Sequence, residues 1–301
     1  MIRKTQVHLI HCQLAIKPMK KELILCIDIG GTHITSAVVD RDAMQLVDRS
    51  FCYQPVDSQG SRQAILADWD QAIQQSLASI NKPLEAMMIA IPGPFDYTQG
   101  ICLMDGMHKY QSLLHLDVKS YLAVTYGIPK SAIFFFNDAH AFLLGEIYHQ
   151  HWFAKRVVGL TLGTGLGSAW YDKSQLKDLN YGSASFREGI AEDYISTRGL
   201  LGFLAGKSNR SFANVRELVE DEAAATEQKL AFDFLREALR EFIQAYILPL
   251  EPDAIVIGGS IAKAERFFLA QLQAEVPIPI QLASMDEKNI FYGMAASLPN
   301  S

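Results

Sequence analysis

The chain has 301 residues, 49 % of them hydrophobic and 20 % charged, with a formal net charge of −6. That length and apolar content can bury a large core without disulfide or metal staples, and they exclude disordered, collagen-like and low-complexity architectures. The acidic balance disfavours a broad nucleic-acid or anionic-membrane surface but permits a local phosphate site built from backbone amides.

Cys12, Cys26, Cys52 and Cys102 lie far apart and form no CxxC pair. They suit neither a zinc site nor a disulfide framework, and a reducing, cytoplasmic setting is expected. No apolar run approaches the ~18 residues of a membrane span. Residues 1–21 are basic and carry no small-residue cleavage site, so a disordered N-terminal extension is expected, with Met19 a natural start before the first strand.

In chain order, Leu23–Ile29 reads as an apolar strand, joined by a Gly-Gly turn to a β-branched strand over 34–39. Residues 47–53 predict a third strand. Ile65, Trp69, Ile73 and Leu77 then recur every four residues, one face of an amphipathic helix that starts at Ser61 and ends near Pro83. Strands are expected over 86–91, Ile133–Phe136, 157–162 and 255–257, and helices over 139–149, 190–204, 213–226 and 228–247. This alternation in both halves predicts an α/β protein of two lobes around a cleft. One lobe would comprise 22–130 plus a C-terminal helix from about 288 to 301, the other 131–287.

Four segments carry the chemistry. Asp28-Ile29-Gly30-Gly31-Thr32 ends a strand in a carboxylate and runs into two glycines and a hydroxyl. Glycines let the backbone approach a ligand and present its N–H groups, and Asp28 could hold a hydrated Mg²⁺. A plain hairpin turn is the competing reading. No GxxxxGK[ST] occurs, and the glycines lead into a strand rather than a helix, so neither a Walker loop nor a dinucleotide fingerprint is present. The second segment, Leu162 to Ser168 (LGTGLGS), is again a glycine hairpin with exposed amides, some 130 residues further on. The two turns could grip one polyphosphate from opposite lobes.

The third segment is Asn137-Asp138, after the apolar run IFFF. Burial there would raise the pKa of Asp138 and suit it to accept a proton from a hydroxyl, while a helix N-cap is the equal structural alternative. The fourth, Gly258-Gly259-Ser260, follows a strand and could let a base or ribose lie against the backbone, or serve helix packing alone. His33, inside the first loop, could touch phosphate or be a tolerated turn residue; His108 and Lys109, in the loop after Pro92–Phe95, could approach a substrate; His140 and His149 lie in a helix-like stretch with no metal-ligand partners in the sequence.

DIGGT, PGPFDYTQG, ND-A, LGTGLGSA and IVIGGSIA occur in that order between residues 23 and 297. Together they resemble the ROK family of sugar kinases and related repressors. The resemblance implies the two-lobed actin-like ATPase (ribonuclease H-like) fold, with the active site in the interlobe cleft. It implies ATP and Mg²⁺ as cofactors, a homodimer, and transfer of the γ-phosphoryl group to a hexose hydroxyl. Glucose at O6 leads, with fructose, mannose, allose and N-acetylmannosamine as alternatives, or a non-catalytic sugar-binding relative.

Carried over by motif, Asp28, Gly30, Gly31 and Thr32 resemble the first phosphate loop, with Asp28 toward the metal through water or phosphate. Gly163, Thr164 and Gly165 resemble the second phosphate loop, and Gly258 and Gly259 the adenosine-side turn. Asp138 corresponds to the general base, Asn137 to a sugar ligand, Pro92 and Gly93 to the sugar-pocket loop, and Glu192 to a sugar-binding glutamate. The chain departs from the family between Trp170 and Tyr194, where the zinc-binding cysteines are missing. No structural zinc is expected, and the sugar ligands that accompany it have no secure counterpart; Glu188 is a weak stand-in. A DNA-binding repressor would need a helix-turn-helix domain ahead of Asp28, where 27 residues stand. Polyphosphate as donor would need a dense basic run, which is not seen.

Overall fold

The computed structural model describes residues 22–298 apart from 107, 108, 174 and 285. The expectations for the N-terminal extension and for His108 fall outside those residues. Two mixed sheets form the frame. In the first, β1 (Leu23–Ile29) pairs antiparallel with β2 (His33–Asp40), which also pairs with β3 (Gln45–Leu46) and β4 (Cys52–Pro55). After α1 (Arg62–Leu77), β5 (Ala86–Ala90) joins β1 in parallel. The small hairpin of β6 (Phe95–Asp96) and β7 (Ile101–Cys102) and helix α2 (Val118–Tyr126) follow, before β8 (Ile133–Phe136) joins β5 in parallel. β8 thus belongs to the first sheet, although the sequence boundary at residue 131 assigns it to the second lobe.

Helix α3 (Asp138–His149) leads to the second sheet. There β9 (Arg156–Leu162), β10 (Leu166–Asp172) and β11 (Gln175–Asp178) form an antiparallel meander. A short ribbon of β12 (Ser185–Phe186) and β13 (Gly189–Ile190) precedes α4 (Thr197–Ala205), α5 (Val215–Glu220) and α6 (Ala225–Phe242). Then β14 (Ala254–Gly258) pairs in parallel with β9, and after α7 (Leu269–Glu275) β15 (Ile280–Leu282) pairs in parallel with β14. Helix α8 (Asn289–Ser297) closes the described chain. Both sheets therefore share one plan, an antiparallel hairpin followed by parallel strands. No helix among the described residues is long and apolar enough to cross a membrane.

Sheets buried on both faces read as unbroken apolar runs, and β1 shows why. Leu25 and Ile27 pack with Ile65, Trp69 and Ile73 of α1, while Ile24 and Cys26 pack with Phe291 and Met294 of α8. Fully burying each such side chain contributes about 1.5–3 kcal/mol. On the second sheet, Leu160 and Ile257 pack with α6, and Val157 and Val256 with Leu143 and Ile147 of α3. Helices α3 and α8 thus form the layer between the sheets. They cross in backbone contact: a Cβ on Gly145 would lie 2.9 Å from the Asn289 carbonyl carbon, and one on Gly293 would lie 2.3 Å from the Gly145 nitrogen.

Three expected elements differ. Residues 47–53 do not form one strand, because Val47 and Ser50 turn the chain between β3 and β4, and Arg49 adopts positive φ. The helix over 190–204 starts only at Thr197, where Ser196 caps it, since Ile190 pairs in the ribbon. The helix over 213–226 breaks at Asp221, and Ala225 begins α6. Apolar spacing in the last two cases described burial against the core rather than continuous helix.

Candidate active site

In open α/β sheets ligands bind outside the carboxyl ends of the parallel strands. Here β1, β5 and β8 of the first sheet end in the turn at Gly30–Thr32, in Pro92-Gly93, and in Asn137-Asp138. In the second sheet β9 and β14 end in Gly163–Gly165 and Gly258–Gly259, and β15 leads to the loop holding Glu287.

The first turn is tight. Gly30 N–H donates to His33 O at 2.8 Å, and Tyr110 O–H donates to Gly30 O from a buried position beneath it. Gly31 and Thr32 are exposed, and their N–H groups have no partner among the described residues. In the second turn, Gly163 N–H donates to Gly165 O at 3.0 Å, and the N–H groups of Thr164 and Gly165 are likewise open. Glu192 supports this turn: its Oε2 accepts from Leu166 N–H at 3.1 Å, and a Cβ on Gly165 would lie 2.5 Å from that oxygen. Arg198 pairs with Glu192 at 3.5 Å and with Asp193 at 3.1 Å. The third turn touches the second, since a Cβ on Gly163 would reach Ser260 Oγ at 3.7 Å. Gly259 sits at φ +92°, against the Leu162 backbone, where only glycine fits.

Asn137 is the N-cap of α3, its Oδ1 accepting from Ala139 N–H at 2.9 Å. Its Nδ2 donates to Tyr97 Oη at 3.0 Å, and Tyr97 O–H donates in turn to Ile91 O at 3.2 Å. This clamps Asn137 to the Pro92-Gly93 loop; Pro92 is buried there and Gly93 approaches the Tyr97 hydroxyl. Asp138 is the first residue of α3 and is exposed, which corrects the expected burial. Ala139 N–H also donates to Asp138 Oδ1 at 2.8 Å, which leaves Oδ2 of the exposed carboxylate free, among the described residues, to face a substrate.

Asp28, in contrast, is partly buried, and its pKa is pushed up to about 7 by burial first, then by the negative charges of Asp138 and Glu287. Its carboxyl oxygens are the hard type that a hydrated Mg²⁺ takes through water, the rest of the ion's shell coming from water and phosphate oxygens. Burial holds the Tyr97 phenol well above its usual range, against the Asn137 hydrogen bond, with the negative charges of Asp138 and then Asp178 adding to the shift.

The turns therefore converge around α3: the charge of Asp138 reaches Asp28, a Cβ on Gly167 would lie 3.2 Å from Ala139 Cβ, and the second turn abuts Glu192 and Ser260. Glu188 is not drawn in; it is exposed, its N–H donating to Tyr194 Oη. Lys109 is half-buried without a hydrogen bond or ion pair among the described residues. His149 ends α3 and His140 lies on it, its Nε2 buried without a partner and its pKa lowered by burial. No group of three or more His, Cys, Asp or Glu that could hold a metal occurs among the described residues.

Sequence reasoning missed Tyr97, Tyr110, Asp178 and Glu287. Tyr97 stood inside the quoted PGPFDYTQG motif and carried a detectable signal. The others are placed by strands and loops distant in sequence.

The fold is the two-lobed fold of the actin-like ATPases. The profile of the ROK family matches residues 24–176, about half of the chain, and the chain belongs to that family. An N-acetylmannosamine kinase from Citrobacter koseri is 25 % identical over 284 residues, covering 86 % of this chain and 92 % of the relative. Among solved structures, a ROK family protein from Streptococcus pneumoniae in complex with sucrose superposes with a TM-score of 0.71 at 20 % identity, covering 91 % of this chain and 96 % of that one. A ROK family glucokinase from Streptomyces griseus in complex with glucose and AMPPNP gives 0.66 at 19 % identity, covering 91 % and 98 %.

Proposed function

We propose that the protein transfers the γ-phosphoryl group of ATP to a hydroxyl of a hexose or N-acetylhexosamine. The observation that carries this reading is the exposed Asp138 carboxylate on the first turn of α3, next to the clamped Asn137, its charge reaching Asp28. Asp138 orients the acceptor hydroxyl and takes its proton as the new O–P bond forms. Asn137, held by Tyr97, and the Pro92-Gly93 loop set the sugar's position, with Glu192 contributing from the second lobe. The open N–H groups of Gly31, Thr32, Thr164 and Gly165 hold phosphate oxygens, with Gly30 and Gly163 shaping the turns. Gly258 and Gly259 give the adenosine moiety a flat backbone surface. Asp28 would hold Mg²⁺ through water or phosphate, and the ion supplies charge neutralisation on the phosphates when bound. Catalysis of this kind is positioning plus electrostatics.

Glucose leads on the sequence pattern, and the name of the Citrobacter relative puts N-acetylmannosamine beside it. The test is ADP release with Mg²⁺-ATP against hexoses and N-acetylhexosamines. One sugar should turn over, and Asp138→Ala should lower kcat by about 10²–10⁴-fold, the usual worth of a general base. A variant as fast as the wild type would remove Asp138 from that role. Sedimentation of the purified protein should give a homodimer; a monomer would refute that part.

A further inference from the structure

We propose that His33 donates a hydrogen bond from Nε2 to the terminal phosphates of the nucleotide, as the side-chain donor of the first turn. The inference rests on the nucleotide reading above and adds a residue that no motif assigned. His33 opens β2, but its ring folds back across the turn: Cε1 and Nδ1 would lie 3.3 and 3.6 Å from a Cβ placed on Gly30. Its other face stacks on Tyr53 of β4, with centroids 5.2 Å apart and planes at 18°. Tyr53 is 56 % exposed, so this stack stands at the mouth of the turn and not in the core. Nδ1 lies 3.3 Å from Thr32 Oγ1. With the Thr32 hydroxyl donating to Nδ1, the ring proton sits on Nε2, which has no hydrogen-bond partner among the described residues.

The charge pattern gives this donor its purpose. The cleft presents Asp28, Asp138 and Glu287 to a polyanion. Residues 28–34, 162–168 and 258–260, which form the three glycine turns, include no lysine or arginine, and His33 is their one basic side chain. Arg198, beside the second turn, is committed to Glu192 and Asp193. An imidazole held between Gly30 and Tyr53 loses little side-chain freedom on binding, which favours a short phosphate contact.

The test compares ATP binding by calorimetry for the wild type, His33→Phe and His33→Lys, with thermal unfolding of each. Phenylalanine keeps the ring between Gly30 and Tyr53 but removes both nitrogens; lysine removes the ring but restores a charged donor. His33→Phe should weaken ATP binding about 10-fold or more, the usual worth of a charge-assisted hydrogen bond, and His33→Lys should recover most of the loss. Both should unfold near the wild-type temperature; if the phenylalanine variant does not fold, His33→Ala against His33→Lys reads the same contrast. Wild-type affinity in the donor-free variant, or equal loss in both variants, would overturn the proposal while leaving the kinase reading intact. Absence of ATP binding by the wild type would overturn the nucleotide reading itself, and the role of His33 with it.

Discussion

Replacing Gly293 by alanine tests the joint between the lobes. In the crossing of α3 and α8, the added Cβ would lie 2.3 Å from Gly145 N and Leu144 C and 2.4 Å from Leu144 O, all backbone atoms that cannot rotate away. Ordinary contact begins near 3.4 Å, so the helices must part by about 1 Å. Overpacking of this kind typically costs ~1–3 kcal/mol, and backbone partners place it at the upper end. Alanine also returns about 0.5–1 kcal/mol of helix propensity, so the net loss should be roughly 2 kcal/mol. For a chain of this size that lowers Tm by about 3 °C. The same displacement moves α3, and with it Asn137 and Asp138, so kcat should fall alongside. Thermal unfolding and steady-state kinetics of the variant measure both. A Tm equal to or above the wild type, with unchanged kcat, would show that the helices do not touch at these glycines.

Other perturbations separate the parts of the site. Tyr97→Phe removes the acceptor of Asn137 Nδ2, a loss of ~0.5–1.5 kcal/mol, so KM for the sugar should rise about 3–10-fold with little change in ATP binding; unchanged sugar kinetics would dissolve the clamp. Gly165→Ala places a Cβ 2.5 Å from Glu192 Oε2, which can swing aside. It should weaken ATP and sugar binding while Tm moves little, and a large fall in Tm would mean the turn is a structural element. Glu146 is buried on α3, with Oε1 accepting from Ser284 N–H at 3.0 Å and Oε2 unpartnered. Burial raises its pKa, against the opposing Ser284 hydrogen bond and His149 charge. A carboxyl raised in the folded state contributes stability in full below its unfolded pKa of about 4.3 and loses it as pH rises through the folded value. Urea midpoints should therefore fall more from pH 4.5 to 7 in the wild type than in Glu146→Gln. A difference that does not change with pH would refute that account.

Determined by the sequence alone were the features that depend on neighbours a few residues apart. The β1–β2 hairpin follows from an apolar run, two glycines and a β-branched run, and α1 from a four-residue apolar period after Ser61. The carboxylates and glycines at strand ends were legible as candidate ligands for the same reason, and their order along the chain marked the family. Tertiary structure decided what distant segments do to one another. That the Asn137 side-chain amide would be clamped depended on Tyr97, 40 residues away. The raised pKa of Asp28 depended on its burial and then on Asp138 and Glu287, and the support of the first turn on Tyr110. The common plan of the two sheets left no repeat in the sequence, because burial on both faces asks only for apolar strands and many residue choices satisfy it. The glycines at 145 and 293 looked like interruptions of two helices until the helices were brought together; local spacing records which residues avoid water, and only packing reveals which backbones must touch.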